Sequence, residues 1–310
     1  MLPLAIHWNV NPVIFQIGDF GLRYYSLGFL LAFVLGYLLL TFICKREKVN
    51  ARYLDSLVLY IFLAVLIGAR LGHCLFYDFD YFFTSNNYTG QSHVAEVFLP
   101  FQNGHFTGFQ GLASHGAAIA ILLALWLYQR KYGMNFWWIL DRLVIIVALG
   151  GAFIRLGNLF NSEIYGTETS LPWGFIFERN GETVPKHPTG LYEALSYLTI
   201  FAVSLGYYLK KKGQFKAGSI FGWWLVALFG ARFLIEFVKT NGVIEGSALL
   251  KGQWLSIPFI VGGFVIAWLS HKEKLPQGVF PKGENPKIVA KWKERDLKEQ
   301  ASKDKKNANK

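Results

Sequence analysis

The chain has 310 residues, of which 53% are hydrophobic, 17% aromatic and only 16% charged, and its formal net charge is +11. Because a soluble domain carries about 25% charged residues, this composition excludes an ordinary soluble enzyme and predicts a polytopic membrane protein. The positive charge lies mainly between apolar runs and at the C-terminal end, which favours a membrane protein over a nucleic-acid-binding one.

Seven apolar runs follow one another along the chain. They cover residues 25–44, 57–77, 111–128, 137–154, 190–209, 218–238 and 254–269. A helix needs roughly 20 residues to cross a bilayer core about 30 Å thick. The sequence therefore predicts an all-α polytopic membrane protein with seven transmembrane helices. We expect residues 1–270 to form the transmembrane domain and residues 271–310 a basic cytoplasmic tail, either a solvated helix or disordered.

The segments between the runs differ in their lysine and arginine content. Residues 45–52, 129–131 and 210–216 are basic, whereas residues 78–110 contain no lysine or arginine. Because cytoplasmic loops are enriched in these residues, we expect the N-terminus outside and the C-terminus in the cytoplasm. Residues 155–189 then form a small extracytoplasmic subdomain. No removable signal peptide is expected, because no basic region precedes a cleavable apolar stretch.

Polar and ionisable residues from six predicted helices lie at a similar depth, in the outer third of the membrane. They are Tyr25, Arg70, His115, Arg155, Tyr192, Glu193, Arg232 and Glu236. Ionisable residues inside membrane spans are costly and usually face the interior of the bundle. Their coincidence predicts a common site, and the forked guanidinium groups are suited to the phosphate of an outer-leaflet phospholipid.

Single residues of this set also have structural interpretations. Arg70 could extend to the membrane surface while the glycines beside it pack against another helix. Arg232 and Glu236, four residues apart, could neutralise one another. His115 could be a helix-end histidine that binds a backbone carbonyl.

The stretch "RLGNLFNSEIYG", residues 155–166, is more polar than a simple turn requires. Asn158 lies three residues after Arg155, close enough on a helix to share its ligand. Asn161 and Glu163 follow, and Glu163 could orient an arginine or the hydroxyl groups of glycerol. We expect Gly166 to end the turn in a conformation that other residues tolerate poorly.

Several common catalytic motifs are missing from the sequence. It has no Walker loop, no HExxH zinc motif and no GxSxG nucleophile elbow, so we expect no cofactor and no metal. The two cysteines, Cys44 and Cys74, lie in apolar runs away from the polar set. If the chain is an enzyme, the nucleophile is therefore expected to come from the substrate.

"IRLGNLFNSEIYG" closely resembles the signature of bacterial prolipoprotein diacylglyceryl transferases, approximately GRxGNxxNxExxG. Other segments resemble the family in the same order: "NPVIFQIGDFGLRYYS", "GARLGHCLFY", "SHG", "KHPTGLYE", "GARFLIEF" and "QWLSIP". The chain departs from the family at Ile154, where glycine is usual, at Ala117, where a second glycine is common, and at Leu228, where tyrosine is frequent. The last two departures affect the expected substrate contacts.

The resemblance implies a reaction and a place for it. Phosphatidylglycerol would donate its diacylglyceryl group to the lipobox cysteine of a prolipoprotein signal peptide, giving a thioether and glycerol phosphate. The enzyme would lie in the bacterial cytoplasmic (inner) membrane, with its active site toward the outer face. The resemblance and the depth of these residues give the catalytic set His115, Arg155, Arg232, Tyr25, Asn158 and Glu163. The corresponding phosphatidylglycerol-binding set is Arg155, Arg232, Arg70, Asn158, Asn161, Gly166 and Glu236.

We expect His115 to accept the thiol proton, because a neutral imidazole is well suited to that step. Tyr25 or Glu163 could instead transfer the proton, or the arginines alone could lower the pKa of the thiol. Two other classes of protein stay open. A lipid or anion transporter would need a polar path to the cytoplasmic side, and a non-catalytic receptor subunit would use the outer loop for docking.

Overall fold

A computed structural model of the chain describes residues 5–17, 20–84, 94–98, 101–102, 105–106, 113–239 and 249–308. These residues are mostly helical, and a long helix covers the described part of each predicted apolar run. The helices are α1 (Tyr24–Arg46), α2 (Ala51–Phe76), α3 (Phe79–Phe83), α4 (Ser114–Tyr132), α5 (Phe136–Phe160), α6 (Thr189–Lys211), α7 (Ser219–Glu236), α8 (Lys251–His271) and α9 (Pro286–Ala308).

Five of these helices are long and apolar enough to cross a membrane: α1, α2, α5, α7 and α8. The helices α4 and α6 do not reach the same hydropathy, because polar and basic residues occupy part of their length. The described residues therefore support a polytopic membrane protein. The count of seven spans and the orientation of the termini stay predictions.

The prediction of an all-α fold is wrong for the segments outside the long helices. Short strands occur there: β1 (Ile6–Trp8), β2 (Val13–Ile17), β3 (Phe20–Arg23), β4 (Phe101–Gln102), β5 (His105–Phe106) and β6 (Phe175–Phe177). The first strand pairs in parallel with β6, while β2–β3 and β4–β5 are antiparallel pairs. These segments lack the long apolar runs that favour helices, and strand pairing satisfies their backbone groups.

The chain divides into two compact units. The first contains residues 1–48 and 137–278, and the second contains residues 49–136 and 279–310. In the first unit α1, α5, α6 and α7 share a buried apolar cluster that includes Ile43, Ile145, Ala148, Ile200 and Leu225. This cluster forms the core from which the polar residues of α5, α6 and α7 are positioned.

In the second unit α2 and α4 pack closely through glycines. A Cβ atom on Gly116 would lie 2.2 Å from the carbonyl oxygen of Gly68 and 2.7 Å from the Cα of Gly72, so larger side chains do not fit. The motifs "GARLG" and "SHG" therefore meet at a helix–helix contact of the small-residue type.

The C-terminal segment of the second unit is folded against that unit. The ring of Trp292, in α9, lies 4.8 Å from that of Tyr53, and Arg52 forms an ion pair with Asp296. The predicted tail is thus a helix with one packed side rather than a fully solvated or disordered segment.

Candidate active site

Arg155, the arginine of the polar stretch, lies inside a helix. Because α5 continues through Phe160, Arg155 and Asn158 occupy its last two turns and not the loop that follows. The separation of three residues places both side chains on the same face of α5. The Nη1 of Arg155 donates to the Oδ1 of Asn158 at 3.3 Å.

Arg155 takes part in a chain of buried ion pairs. Its Nε lies 2.7 Å from the Oε2 of Glu193, whose side chain is fully buried, although the N–H is not aligned for a hydrogen bond with that oxygen. The other carboxylate oxygen of Glu193 accepts a hydrogen bond of 2.7 Å from the Nζ of Lys239. That ammonium group also lies 3.4 Å from the Oε2 of Glu236. One buried carboxylate is therefore shared by two cations.

Arg232 is in a different state from Arg155. Within the described ranges its guanidinium makes no hydrogen bond or ion pair, and Glu236, one turn further along α7, pairs with Lys239 instead. The interpretation that Arg232 and Glu236 neutralise each other is therefore wrong. The buried hydroxyl of Tyr197 lies close enough to interact with Arg155, Arg232 and Glu193. Tyr197 thus connects the two arginines.

A second polar network connects Arg155 to the turn after α5. The Nδ2 of Asn158 donates to the Oε2 of Glu163 at 2.9 Å, and the Nδ2 of Asn161 donates to the Oε1 of Glu163 at 3.1 Å. Glu163 thus holds both asparagine amides, and through Asn158 it orients Arg155. This arrangement supports the expectation that Glu163 positions an arginine.

The turn that carries Glu163 is strained. Ser162 and Ile164 have φ values of 56° and 55°, in the left-handed region that is unfavourable for a β-branched residue such as Ile164. Strain of this kind is found at functional sites that the surrounding structure holds in place. The two residues flank Glu163, whose carboxylate is held by the amides of Asn158 and Asn161.

Gly166 does not have the unusual conformation that we predicted for it, because its φ is not positive. It is required for space: a Cβ atom there would lie 2.0 Å from the carbonyl oxygen of Val238. The backbone N–H of Gly166 donates to the carbonyl of His187 at 2.8 Å, and Gly166 forms an isolated β-bridge with Lys239. The close approach therefore connects the signature turn to the ion-pair chain.

Tyr25 also joins the cluster. It is the second residue of α1 and packs against Gly157, where a Cβ atom would lie 2.7 Å from the Cδ2 of the tyrosine ring. Its hydroxyl interacts with the charges of Glu163 and Arg155. The first unit therefore brings together eight predicted site residues: Tyr25, Arg155, Asn158, Asn161, Glu163, Gly166, Arg232 and Glu236.

The other two predicted site residues belong to the second unit. Arg70 is buried, and it does not extend to the surface. Its Nε and Nη2 donate to the carbonyls of Val97 and Glu96 at 3.0 and 2.7 Å, and its guanidinium lies 4.9 Å from the ring centre of Phe82. These contacts give Arg70 a structural role, and its part in phosphate binding stays a prediction.

His115 is exposed and is the second residue of α4. The apolar run predicted a histidine a few residues inside a longer helix. The structure places it at the helix end, because α4 begins at Ser114. Its part in catalysis also stays a prediction.

The sequence-based site sets omitted Tyr197, Lys239 and Glu193. Glu193 had been noticed for its depth alone, and Tyr197 lies four residues after it on the same face of α6. Lys239 lies three residues after Glu236, a separation typical of an ion pair. For Tyr197 and Lys239, the signal available in the sequence was their helical spacing from an acidic residue.

His187 lies just before α6, beside the turn that contains Gly166. Its Nδ1 lies 3.2 Å from the hydroxyl of Tyr192, which accepts a hydrogen bond from the Nε1 of Trp173 at 3.0 Å. Burial lowers the pKa of the His187 imidazole below its usual value. The neutral form is therefore favoured next to the site.

The arrangement is suited to anion binding. Arg155 and Lys239 pair with two buried carboxylates, Glu193 and Glu236. Arg232, which acts on the same Tyr197 hydroxyl as Arg155, has no anionic partner in the described part of the chain. No group of three or more His, Cys, Asp or Glu side chains within the described ranges is placed to bind a metal ion. A phosphate diester would supply the missing negative charge and accept bidentate hydrogen bonds.

Comparisons with known proteins identify the family. The sequence model of the prolipoprotein diacylglyceryl transferase family matches residues 12–269. The phosphatidylglycerol–prolipoprotein diacylglyceryl transferase of Bacteroides fragilis is 40% identical over 275 residues, which cover 88% of this chain and 98% of the relative. The transferase of the same name from Tolumonas auensis is 40% identical over 272 residues, with 87% and 99% covered. That of Chloroherpeton thalassium is 38% identical over 271 residues, with 86% and 95% covered. The chain belongs to the prolipoprotein diacylglyceryl transferase family.

Proposed function

We propose that this chain transfers the diacylglyceryl group of phosphatidylglycerol to the thiol of the lipobox cysteine in prolipoprotein signal peptides, the first step of lipoprotein maturation. Family membership and the names of the relatives support the reaction. The observation that carries the proposal is the guanidinium of Arg232, which acts with Arg155 on the hydroxyl of Tyr197 and makes no ion pair or hydrogen bond with any residue that the structure describes. An uncompensated cation in a polar cluster between helices is costly unless a ligand completes it.

In the proposed step the cysteine sulfur bonds to the glyceryl carbon, and the bond between that carbon and the phosphate oxygen breaks. The electron pair stays on glycerol phosphate, so the charge of the phosphate group changes from about −1 to about −2. Arg155 and Arg232 stabilise this additional charge with donors that are already in place. The thiol proton is taken up by a base and leaves the site with the product or through solvent.

His115 is the proposed base. An unperturbed thiol has a pKa near 8.5, so little of the nucleophilic thiolate is present at neutral pH. A neutral imidazole can accept the proton. The exposed position of His115 at the start of α4 supports this role, since the side chain is accessible to a substrate. Tyr25, beside Glu163, is the alternative.

The proposed topology has seven spans, including α4 and α6, with the N-terminus outside and the C-terminal tail in the cytoplasm. The distribution of lysine and arginine supports it. The polar residues grouped around Arg155, here called the Arg155 cluster, then face the outer leaflet of the cytoplasmic membrane. The cluster contains Tyr25, Arg155, Asn158, Asn161, Glu163, Gly166, Glu193, Tyr197, Arg232, Glu236 and Lys239. Residues 1–270 form the catalytic domain, and residues 271–310 form the tail.

The reaction can be tested with the full chain in vesicles that contain labelled phosphatidylglycerol and a lipobox peptide. We expect a peptide with the mass of one added diacylglyceryl group and an equal amount of glycerol phosphate. A peptide with serine in place of the lipobox cysteine, and vesicles without phosphatidylglycerol, should give no product. Lipid translocation without covalent product would support a transporter, and peptide binding alone would support a receptor subunit; either result would contradict the proposal. The apolar packing of α5 at Val144, Ile145, Ala148 and Ala152 disfavours a polar transport path in the first unit.

The role of His115 can be tested separately in His115→Gln. If His115 is the base, the substitution should remove the acid limb of the pH–rate profile and leave phosphatidylglycerol binding largely intact. Wild-type turnover with an unchanged acid limb would make His115 a structural histidine and leave the phosphate site unaffected.

A further inference from the structure

A cleft of about 830 Å³ lies in the first unit, between the C-terminal half of α6, the N-terminal half of α7 and the end of α8. Pockets that bind small ligands have volumes of about 300–1,000 Å³. No residue of the Arg155 cluster lines this cleft, so it is a separate feature of the molecule. We refer to it as the basic-end cleft.

The lining of the basic-end cleft changes from polar to apolar along its length. Lys211, Lys216 and His271 line one end, and the exposed Val203 and Ala227 lie farther from that end along α6 and α7. On α6 the wall extends from residue 199 to residue 211, which is about 18 Å at 1.5 Å per residue. This length is slightly more than half of a hydrocarbon core about 30 Å thick. The cleft therefore matches the depth and the polarity gradient of one lipid leaflet.

The positive charge at the cleft is available to an anion. The ammonium group of the exposed Lys211 makes no hydrogen bond or ion pair within the described ranges. That of Lys216 is held by the carbonyl of His271 at 2.8 Å and by Glu273 at 3.1 Å. The N-terminus of α7 is already occupied, since Asp141 accepts from the backbone of Gly218 and of Phe221. Lys211 is thus the cation that a phosphate would meet.

Two polar atoms belong to residues in the cleft wall and lack a partner in the described structure. They are the Oγ of Ser219 and the Nε1 of Trp224, both of them buried. A buried tryptophan N–H normally has an acceptor. Neither atom is exposed to the cleft, so the proposal rests on Lys211 and on the length of the cleft.

We propose that the basic-end cleft binds one anionic phospholipid from the leaflet at its basic end. The phosphate lies at Lys211, and an acyl chain extends along Val203 and Ala227. A lipid fits better than the apolar helix of a signal peptide, because a spanning helix needs the full thickness of about 30 Å and the cleft covers about 18 Å. In the proposed topology this is the cytoplasmic leaflet, opposite the donor site.

The binding can be measured by quenching of tryptophan fluorescence with brominated lipids, using the purified full chain in micelles without peptide. Trp223 lines the cleft. The difference in quenching between the wild type and Trp223→Phe, called the Trp223 component, therefore reports on this site. We expect brominated phosphatidylglycerol to quench this component at concentrations about fivefold lower than brominated phosphatidylcholine. Lys211→Ala should abolish that preference, because one basic residue near a lipid surface has an effect of about this size. Lys210→Ala, which removes the same charge from the adjacent position outside the cleft, should retain it.

Filling the cleft gives an independent test. Ala227→Phe should reduce quenching of the Trp223 component by both lipids. Equal quenching by the two lipids in the wild type, or equal effects of Lys211→Ala and Lys210→Ala, would show ordinary contact with surrounding lipid and overturn the proposal. Displacement of the brominated lipid from Trp223 by a lipobox peptide would also overturn it, in favour of a peptide site. Because no turnover is involved, these outcomes are independent of the transfer reaction.

Discussion

Two arginines on the same helix, Arg142 and Arg155, have different surroundings. They are thirteen residues apart on α5, about 20 Å at 1.5 Å per residue. The guanidinium of Arg142 makes a bidentate pair with Glu47, through Nε at 3.0 Å and Nη2 at 2.9 Å. It also donates to the carbonyl of Gly213 and lies over the ring of Phe215. Arg142 is therefore fully satisfied by the protein.

The cluster around Arg155 is not saturated in this way. Arg155 shares Glu193 with Lys239, and Arg232 has no ion pair or hydrogen bond in the described part of the chain. A buried arginine is therefore not by itself a functional sign. What distinguishes a site from a scaffold is whether the protein has already supplied all the partners that its charges require.

The first prediction compares Glu193→Gln with Glu47→Gln. Both changes remove the charge from a carboxylate that pairs with an arginine; that of Glu193 is fully buried and that of Glu47 is largely buried. Breaking a buried pair costs about 3–5 kcal/mol. Glu47→Gln should lower the thermal midpoint of the purified protein and leave the transfer rate per folded molecule near the wild-type value. Glu193→Gln should lower both, with a loss of transfer on the order of 10²-fold or more.

Thermal unfolding in detergent and single-turnover transfer on the same preparation separate the two effects. If Glu193→Gln lost only stability, the residues around Arg155 would have a structural role, like those around Arg142. If Glu47→Gln reduced transfer as strongly as Glu193→Gln, the surroundings of Arg142 and Arg155 would not differ in their importance for the reaction.

The second prediction concerns Asn158, which connects Arg155 to Glu163. Asn158→Ala removes both hydrogen bonds, so Arg155 loses its orientation while all charges stay in place. We expect transfer to fall about 10- to 100-fold, mainly through the rate of the chemical step, since a misplacement of about 1 Å can cost 10²-fold. Titration of phosphatidylglycerol against the initial rate measures this change. Normal binding and turnover in Asn158→Ala would show that the motif is structural.

The smallest expected effect is a pH dependence of stability at His187. Burial lowers the pKa of His187 in the folded state, so the unfolded chain binds more protons between the two pKa values. The stabilising contribution is therefore complete above the unfolded pKa of about 6.5, and it is lost as the pH falls through the lower, folded pKa. His187→Gln should flatten the decrease of the thermal midpoint below pH 6.5. An unchanged pH slope in His187→Gln would exclude this residue as the source.

Much of the helical layout could be predicted from the sequence, because apolar runs of membrane-spanning length have few alternatives to a helix. The strands were missed, although Gly18 and Asp19 separate two β-rich segments in a pattern typical of a hairpin. The parallel pairing of β1 with β6 could not be predicted, since it joins segments about 170 residues apart.

Residue types and predicted membrane depth identified the site residues that lie in the first unit. They did not show which of these residues form ion pairs with one another. Glu236 could pair with Arg232 or with Lys239, because both separations suit a helix. Only the folded chain shows that α7 ends near Glu236, and that Lys239 lies where it bridges to Glu193 on α6. The backbone strain at Ser162 and Ile164 likewise had no sequence signal, because neither is a residue type that favours a positive φ.

We propose that Arg155 acts on a phosphate and that Arg142 does not. Arg155→Lys and Arg142→Lys each keep the charge and lose the forked geometry. Transfer from phosphatidylglycerol to a lipobox peptide should be measured for both variants at saturating donor, per folded molecule. We predict a loss on the order of 10²-fold or more for Arg155→Lys and a rate near that of the wild type, with a lower thermal midpoint, for Arg142→Lys. Near-normal turnover in Arg155→Lys would contradict the proposed role of Arg155 in phosphate binding.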